Sequence, residues 1–180
     1  TFSSLIARIQ DILNSSKKHN KKVYISGRSL LKNIAMANKY GYLKYPKNLV
    51  HGIERAKHSE DKNAVIISTG AQGEELASLT KMANGEHKNI KINTNDTIII
   101  SSSPIPGNER AFFTIVNKLS KLGAKIINHK DMDIHTSGHA QQEELTSMLQ
   151  MVKSKYFVPI HGEWFMRKAH KELAIDVGYK

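Results

Sequence analysis

Residues 64–69 (Ala-Val-Ile-Ile-Ser-Thr) and 97–101 (Thr-Ile-Ile-Ile-Ser) carry apolar, largely β-branched side chains at successive positions. A strand with one wet face alternates apolar and polar residues, whereas an unbroken run belongs to a strand covered on both faces, as in a parallel sheet. Each run leads through a turn-forming stretch into a segment of helical periodicity, and parallel neighbours require such helical crossovers. The first helix is marked by Phe2, Leu5, Ile6, Ile9, Ile12 and Leu13 and ends at Ser15-Ser16 and a lysine run. Strands are expected over residues 23–26, 64–69, 97–101, 125–128 and 156–160. Helices are expected over 29–40, 49–58, 73–83, 108–122 and 139–152, with a last one ending near 177. The fold class that follows is α/β, a mostly parallel five-stranded sheet with helices on both faces.

A chain of 180 residues, 39% of them hydrophobic, suits one domain, or one domain and a piece of a second. The absence of cysteine excludes disulfides and thiolate metal sites and favours a cytoplasmic setting. No apolar run is long enough to cross a bilayer, and TFSSLIARIQ reads as an amphipathic helix rather than a signal peptide, so no membrane partner is expected. A first residue other than Met suggests a fragment. Lys and Arg number 27 against 16 Asp and Glu, a net charge of +11. Such an excess draws polyanions through counterion release. It is also nearly all lysine (22 Lys, 5 Arg) beside 20 Ile and 13 Asn, the residues that AT-rich codons supply, so both readings of the charge stay open.

In parallel sheets, sites form beyond the carboxyl ends of the strands. Five strand-to-helix loops there are rich in Gly, Ser and polar groups: SGRS, STGAQGEE, SSSPIPGNE, HTSGHA and PIHGEW. Backbone N–H groups and serine hydroxyls of the third can hold a phosphate, with Ser103 a candidate, although Asn108 as a simple helix N-cap explains the same residues. STGAQGEE matches neither a Walker loop nor a dinucleotide fingerprint. Arg28 can sit over a phosphate or be an ordinary surface residue. His135 and His139 have the spacing of a helical zinc pair, but Ser137-Gly138 between them suits a helix start, so the two rings are not expected on one helix face. His161, on a glycine turn after an apolar strand, is equally readable as a metal ligand or as a structural histidine. HxHxDH is absent, and so is any Ser-His-Asp or Cys-His nucleophile signature.

GRSL, TGAQGEE, SSSPIPGNE, HTSGHA and PIHGE, in this order and across essentially the whole chain, resemble ribonuclease J, of the β-CASP branch of metallo-β-lactamase-fold nucleases. The resemblance implies a Rossmann-like β-CASP domain over 1–134 and, over 135–180, a return into the metallo-β-lactamase domain that the rest of the protein would supply. It implies an RNA endonuclease and 5′-to-3′ exonuclease with two zinc ions, most of whose ligands lie outside this chain, so the chain alone is expected to be inactive. It also implies roles for single residues. His139 matches the histidine beside the scissile phosphate, and His161 matches a zinc ligand with Glu163 as its carboxylate support. Ser137 and Gly138 match part of a phosphate pocket. Ala71 stands where the family usually has Ser and Glu75 where it often has Pro, which weakens a phosphate role for that loop. The expected partner is single-stranded RNA, and a homo-oligomer is compatible with the sequence. The competing reading from another class is a non-catalytic RNA-binding module of the same fold.

Overall fold

The structure is a computed structural model that describes every residue except 57–62, 71, 73, 75, 106, 129, 133, 137 and 180. The chain forms two compact units, Thr1–Thr136 and Ser137–Lys180.

The first unit opens with α1 (Ile6–Lys18), β1 (Lys22–Ser26) and α2 (Arg28–Lys39). Ile9 and Leu13 of α1, one turn apart, and Leu30, Ile34 and Ala37 of α2 form the buried stripes of these helices. They pack with Val23, Ile25, Leu43, Leu49 and Ile67 in the larger core. β1 buries four successive residues, and since neighbouring side chains point to opposite faces, this strand is covered on both. It lies between β2 (Val50–Gly52) and β3 (Ala64–Ser68), parallel to each, with Val23 opposite Val50 and Val65. After α3 (Ser78–Ala83) come β4 (Thr97–Ile100), α4 (Glu109–Lys121) and β5 (Lys125–Asn128). β4 and β5 pair in parallel as a second sheet, against which Ala83, Ile115 and Leu119 make a smaller core.

The architecture is therefore α/β with parallel strands, but the expected single five-stranded sheet is divided into one of three strands and one of two. Three local expectations also change. Residues 49–58 do not make one helix: Val50–Gly52 extends beside β1 and Ile53–Arg55 is a single 3-10 turn, because pairing with a central strand outweighs the weak helical pattern. The expected end of that helix falls partly outside the described residues, as does the start of the helix expected at residue 73. In β4 the burial alternates, leaving Ile99 58% exposed, so the Ile-Ile-Ile run is not covered on both faces among the described residues. Residues 156–160 form no strand and pair with none among the described residues.

The second unit contains α5 (Gln142–Val152) and α6 (Trp164–Asp176). The Glu144 carboxylate accepts the Gln141 N–H at 2.7 Å, half of a capping box that fixes where α5 begins. Tyr179 donates to the Leu149 carbonyl at 2.8 Å and accepts from Ser154 N, tying the end of α6 to the end of α5. Phe157 packs edge-on to His170 and Tyr179. Little else is buried here: Leu149 and Ala174 are the unit's apolar residues below a tenth exposed.

A polar cluster closes the first unit below the end of β1. The Ser26 and Ser78 hydroxyls are hydrogen-bonded, and Ser26 Oγ lies 3.0 Å from His87 Nε2. His87 Nδ1 accepts the backbone N–H groups of Asn89 and Ile90. A nitrogen that accepts carries no proton, so His87 is neutral with its hydrogen on Nε2. Burial, and then the Lys81 charge, hold its pKa below the ordinary 6.5. A depressed histidine favours the fold while neutral. Its stabilisation is therefore complete above pH 6.5 and is lost as the pH falls from there through the lowered value. Urea melts between pH 7.5 and 5 should show falling stability, and His87→Gln should flatten that dependence. An unchanged slope in the variant would remove His87 as its source.

Candidate functional site

Within each sheet parallel pairing puts the carboxyl ends at one edge, those of β1 and β3 in the first and those of β4 and β5 in the second, and hydrogen bonds join the loop after β3 to the loop after β4. β1 and β3 are the point where the chain turns from one side of the sheet to the other, and their loops touch. Gly27 has φ 132°, and a Cβ there would come within 3.0 Å of Thr69 Oγ1, so this position needs glycine for conformation and for space. Arg28 follows as the first residue of α2, exposed, in a first turn with no acidic side chain. A cation there opposes the helix dipole, an arrangement that an incoming anion relieves.

The next two loops are joined by a buried side chain. Gln72 donates through Nε2 to the Ser103 carbonyl at 2.9 Å and accepts the Ile105 N–H at 2.8 Å. It thus pairs with the 101–108 loop as a peptide group would. Ser103 is half-buried and Ser102 fully buried, and among the described residues Ser102 Oγ has no hydrogen-bond partner. Asn108 occupies the N-cap position of α4 but makes no side-chain cap; the Glu109 carboxylate accepts the Gly107 N–H instead. Ala71, Gly73, Glu75 and Pro106, in the same two loops, lie outside the described residues.

A second bridge involves α1. Arg8 Nη1 lies 2.6 Å from Ser101 Oγ, 3.3 Å from the Ser101 carbonyl and 2.9 Å from His135 Nδ1. Ser101 Oγ in turn donates to the Ile134 carbonyl at 2.8 Å. Sequence reasoning singles out neither Arg8 nor His87; Ser101 and Gln72 lie in the two loops it reads as phosphate candidates, but the bridges they make are not foreseen there. Arg8 is one position from Ile9, about 100° around α1 from the buried Ile9–Leu13 stripe, so it flanks that stripe and periodicity gives no signal for it.

In the second unit, His139 and His161 come together with ring centroids 6.1 Å apart and planes 18° from parallel. Both are exposed. α5 starts only at Gln142, so neither His135 nor His139 is helical. Gly162 has φ +91°, and a Cβ would lie 3.0 Å from Met166 Sδ; glycine here lets the chain turn tightly from His161 into α6. Glu163 is the residue before the first turn of α6, exposed, and no hydrogen bond joins it to His161 among the described residues. Gly138 is exposed with open space around it. Ser137, the other candidate in this loop, lies outside the described residues. Zinc takes four ligands in structural sites and three plus water in catalytic ones. Among the described residues no three His, Asp or Glu side chains converge on one point, so they do not by themselves fit a complete zinc site.

Comparison with known proteins gives the following. Residues 1–119 match the family model of the ribonuclease J β-CASP domain, and residues 127–180 match that of the Zn-dependent metallo-hydrolase RNA specificity domain. The chain is 44% identical to ribonuclease J of Synechocystis over 97% of its own length and 27% of that protein. It is 39% identical to ribonuclease J of Corynebacterium glutamicum (99% of this chain, 25% of that protein) and 41% identical to that of Helicobacter pylori (99% and 26%). It thus spans about a quarter of the length of these relatives.

A donor set this incomplete should hold metal weakly. Dialysed against metal-free buffer, the 180-residue chain is expected to keep less than one zinc per molecule by atomic absorption. Retention of two would show that these side chains suffice.

Proposed function

Because the chain belongs to the ribonuclease J family, we propose that it is the RNA-gripping surface and part of the active site of a zinc-dependent ribonuclease, acting as endonuclease and 5′-to-3′ exonuclease in RNA processing and decay. The observation that carries this reading is the stacking of His139 and His161, which are 22 positions apart in sequence. Residues 1–134 are assigned to the β-CASP nucleic-acid-binding domain and 135–180 to the return segment of the catalytic domain.

In this reading His161 would be one zinc ligand, neutral so that a ring nitrogen can donate, and Glu163 would be the carboxylate that orients its outer nitrogen. The other ligands come from the metallo-β-lactamase domain of the same protein. When bound, zinc lowers the pKa of a water and clamps phosphate oxygens. His139 acts on the substrate, stabilising charge at the scissile phosphate or handing a proton to the leaving oxygen. Ser137 and Gly138 are assigned to the pocket that takes a nucleotide phosphate. Arg28 at the start of α2 and Ser103 beside the Gln72 bridge contact the backbone of a single strand. The exposed apolar row Tyr156, Val158 and Ile160, with Trp164 and Phe165, is the surface against which the catalytic domain packs.

Two experiments test the reading. RNA binding that runs through phosphate contacts should weaken steeply with salt, with a log–log slope of roughly −0.7 per contact, and Arg28→Ala should lower both affinity and slope. A flat salt response would exclude a phosphate-gripping surface. In the complete protein, His139→Ala should reduce single-turnover cleavage by ~10²–10⁴-fold with zinc content unchanged. His161→Ala should lose zinc and recover partly when zinc is added. Circular dichroism would confirm that each variant is folded. The opposite pattern of zinc loss would reverse the two roles, and unchanged cleavage in both variants would end the nuclease assignment.

A further inference from the structure

Arg8 belongs to α1, at the start of the chain, yet its contacts lie 93 and 127 positions away. One nitrogen, Nη1, serves Ser101 Oγ, the Ser101 carbonyl and His135 Nδ1. Ser101 passes the connection on, its hydroxyl donating to the carbonyl of Ile134. Two consecutive residues, 134 and 135, are thereby fastened to the end of β4 and to the first helix. Arg8 is half-buried, and among the described residues no carboxylate pairs with it. A partly buried guanidinium whose described partners are a hydroxyl, a carbonyl and an imidazole, with no carboxylate among them, is a poor choice for stability alone. Such local violations are expected where function requires them.

The chemistry of the pair also sets a proton. A guanidinium only donates, so His135 Nδ1 must present its lone pair. An imidazole protonated at Nδ1 would set two donors against each other at 2.9 Å. His135 is therefore neutral, with its hydrogen on Nε2.

We propose that Arg8 is a positioning residue of the nuclease: it fixes His135 as the Nε2–H tautomer and anchors the chain at the entrance to the HTSGHA segment, four residues before His139. This role rests on the ribonuclease reading above, although the hydrogen-bond arrangement beneath it does not. Arg8 touches neither substrate nor reacting atoms in this scheme; it acts through His135. Its loss should slow the chemical step more than it weakens RNA binding, because a reacting group displaced by about an ångström costs on the order of 100-fold in rate.

The test uses the complete protein in two measurements. In the first, ¹⁵N-histidine labelling and NMR report the tautomer of His135, assigned with His135→Gln. The Nε2–H form in the unsubstituted protein, giving way to a mixture in Arg8→Gln, is the expected result, and an Nδ1–H form would overturn the proposal. In the second, single-turnover cleavage is compared for Arg8→Gln, Arg8→Lys, His135→Gln and the double variant Arg8→Gln/His135→Gln. Arg8→Gln should cleave about 10- to 100-fold more slowly with RNA affinity changed less than about threefold, and Arg8→Lys should recover part of the rate. The double variant should be no slower than the worse single one, since both act through the same contact. Independent, multiplying effects, or a loss confined to affinity, would overturn the positioning role. Inactivity of the unsubstituted protein would instead sink the ribonuclease reading, leaving the tautomer measurement to decide the Arg8–His135 pairing.

Discussion

Parallel strand pairing is the constraint on which the rest of the first unit depends. A parallel neighbour cannot be reached by a tight turn, so the chain must cross over before it pairs again. Within a sheet every strand then runs the same way, and the loops that follow its strands emerge at the same edge. β1, paired on both sides and buried over four successive residues, is the extreme case. With the apolar interior committed to packing, the polar groups that remain near the sheet are those of the emerging loops. Several of them are satisfied by one another: Gln72 with the loop after β4, Arg8 with Ser101 and His135, Ser26 with Ser78 and His87. Cross-links of this kind hold separate loops in a common register, which apolar contacts alone do not specify.

The alternating strand–helix order was legible because it rests on periodicity, a local property. The runs at 64–69 and 125–128 and the stripes of α1, α2 and α4 could be read residue by residue. The division into two sheets could not, since which strand edges meet is decided by partners distant in sequence. β2 shows the same limit: a weak helical pattern gave way to the hydrogen bonds offered by β1. Of the candidate site, the residues carried by motifs (His139, His161, Arg28, Ser103) could be named, and the pairing of two of them is visible in the ring stack. The bridging residues were hidden for a physical reason. Gln72 and Arg8 function through contacts 31 or more positions away, and a lone polar residue has no periodicity to reveal it.

The two units invest differently in burial. The first closes around Ile9, Leu13, Leu30, Ile34 and their neighbours, all nearly inaccessible to water. The second keeps Tyr156, Val158, Ile160 and Trp164 each more than 70% exposed while burying little. An exposed row of apolar side chains is a hazard for association with other chains.

The Ser26–His87 contact has one more consequence. A serine 3.0 Å from an imidazole nitrogen looks like the start of a nucleophilic dyad. Activation would require that nitrogen to take the hydroxyl proton. Here the backbone of Asn89 and Ile90 occupies the other ring nitrogen as donors, so the proton already sits on the side facing Ser26. The polarity of the pair is reversed: the imidazole gives to the serine and cannot receive from it. Proximity of the right residue types thus yields a chemically silent pair, and a serine-directed covalent reagent would find no activated hydroxyl at the end of β1.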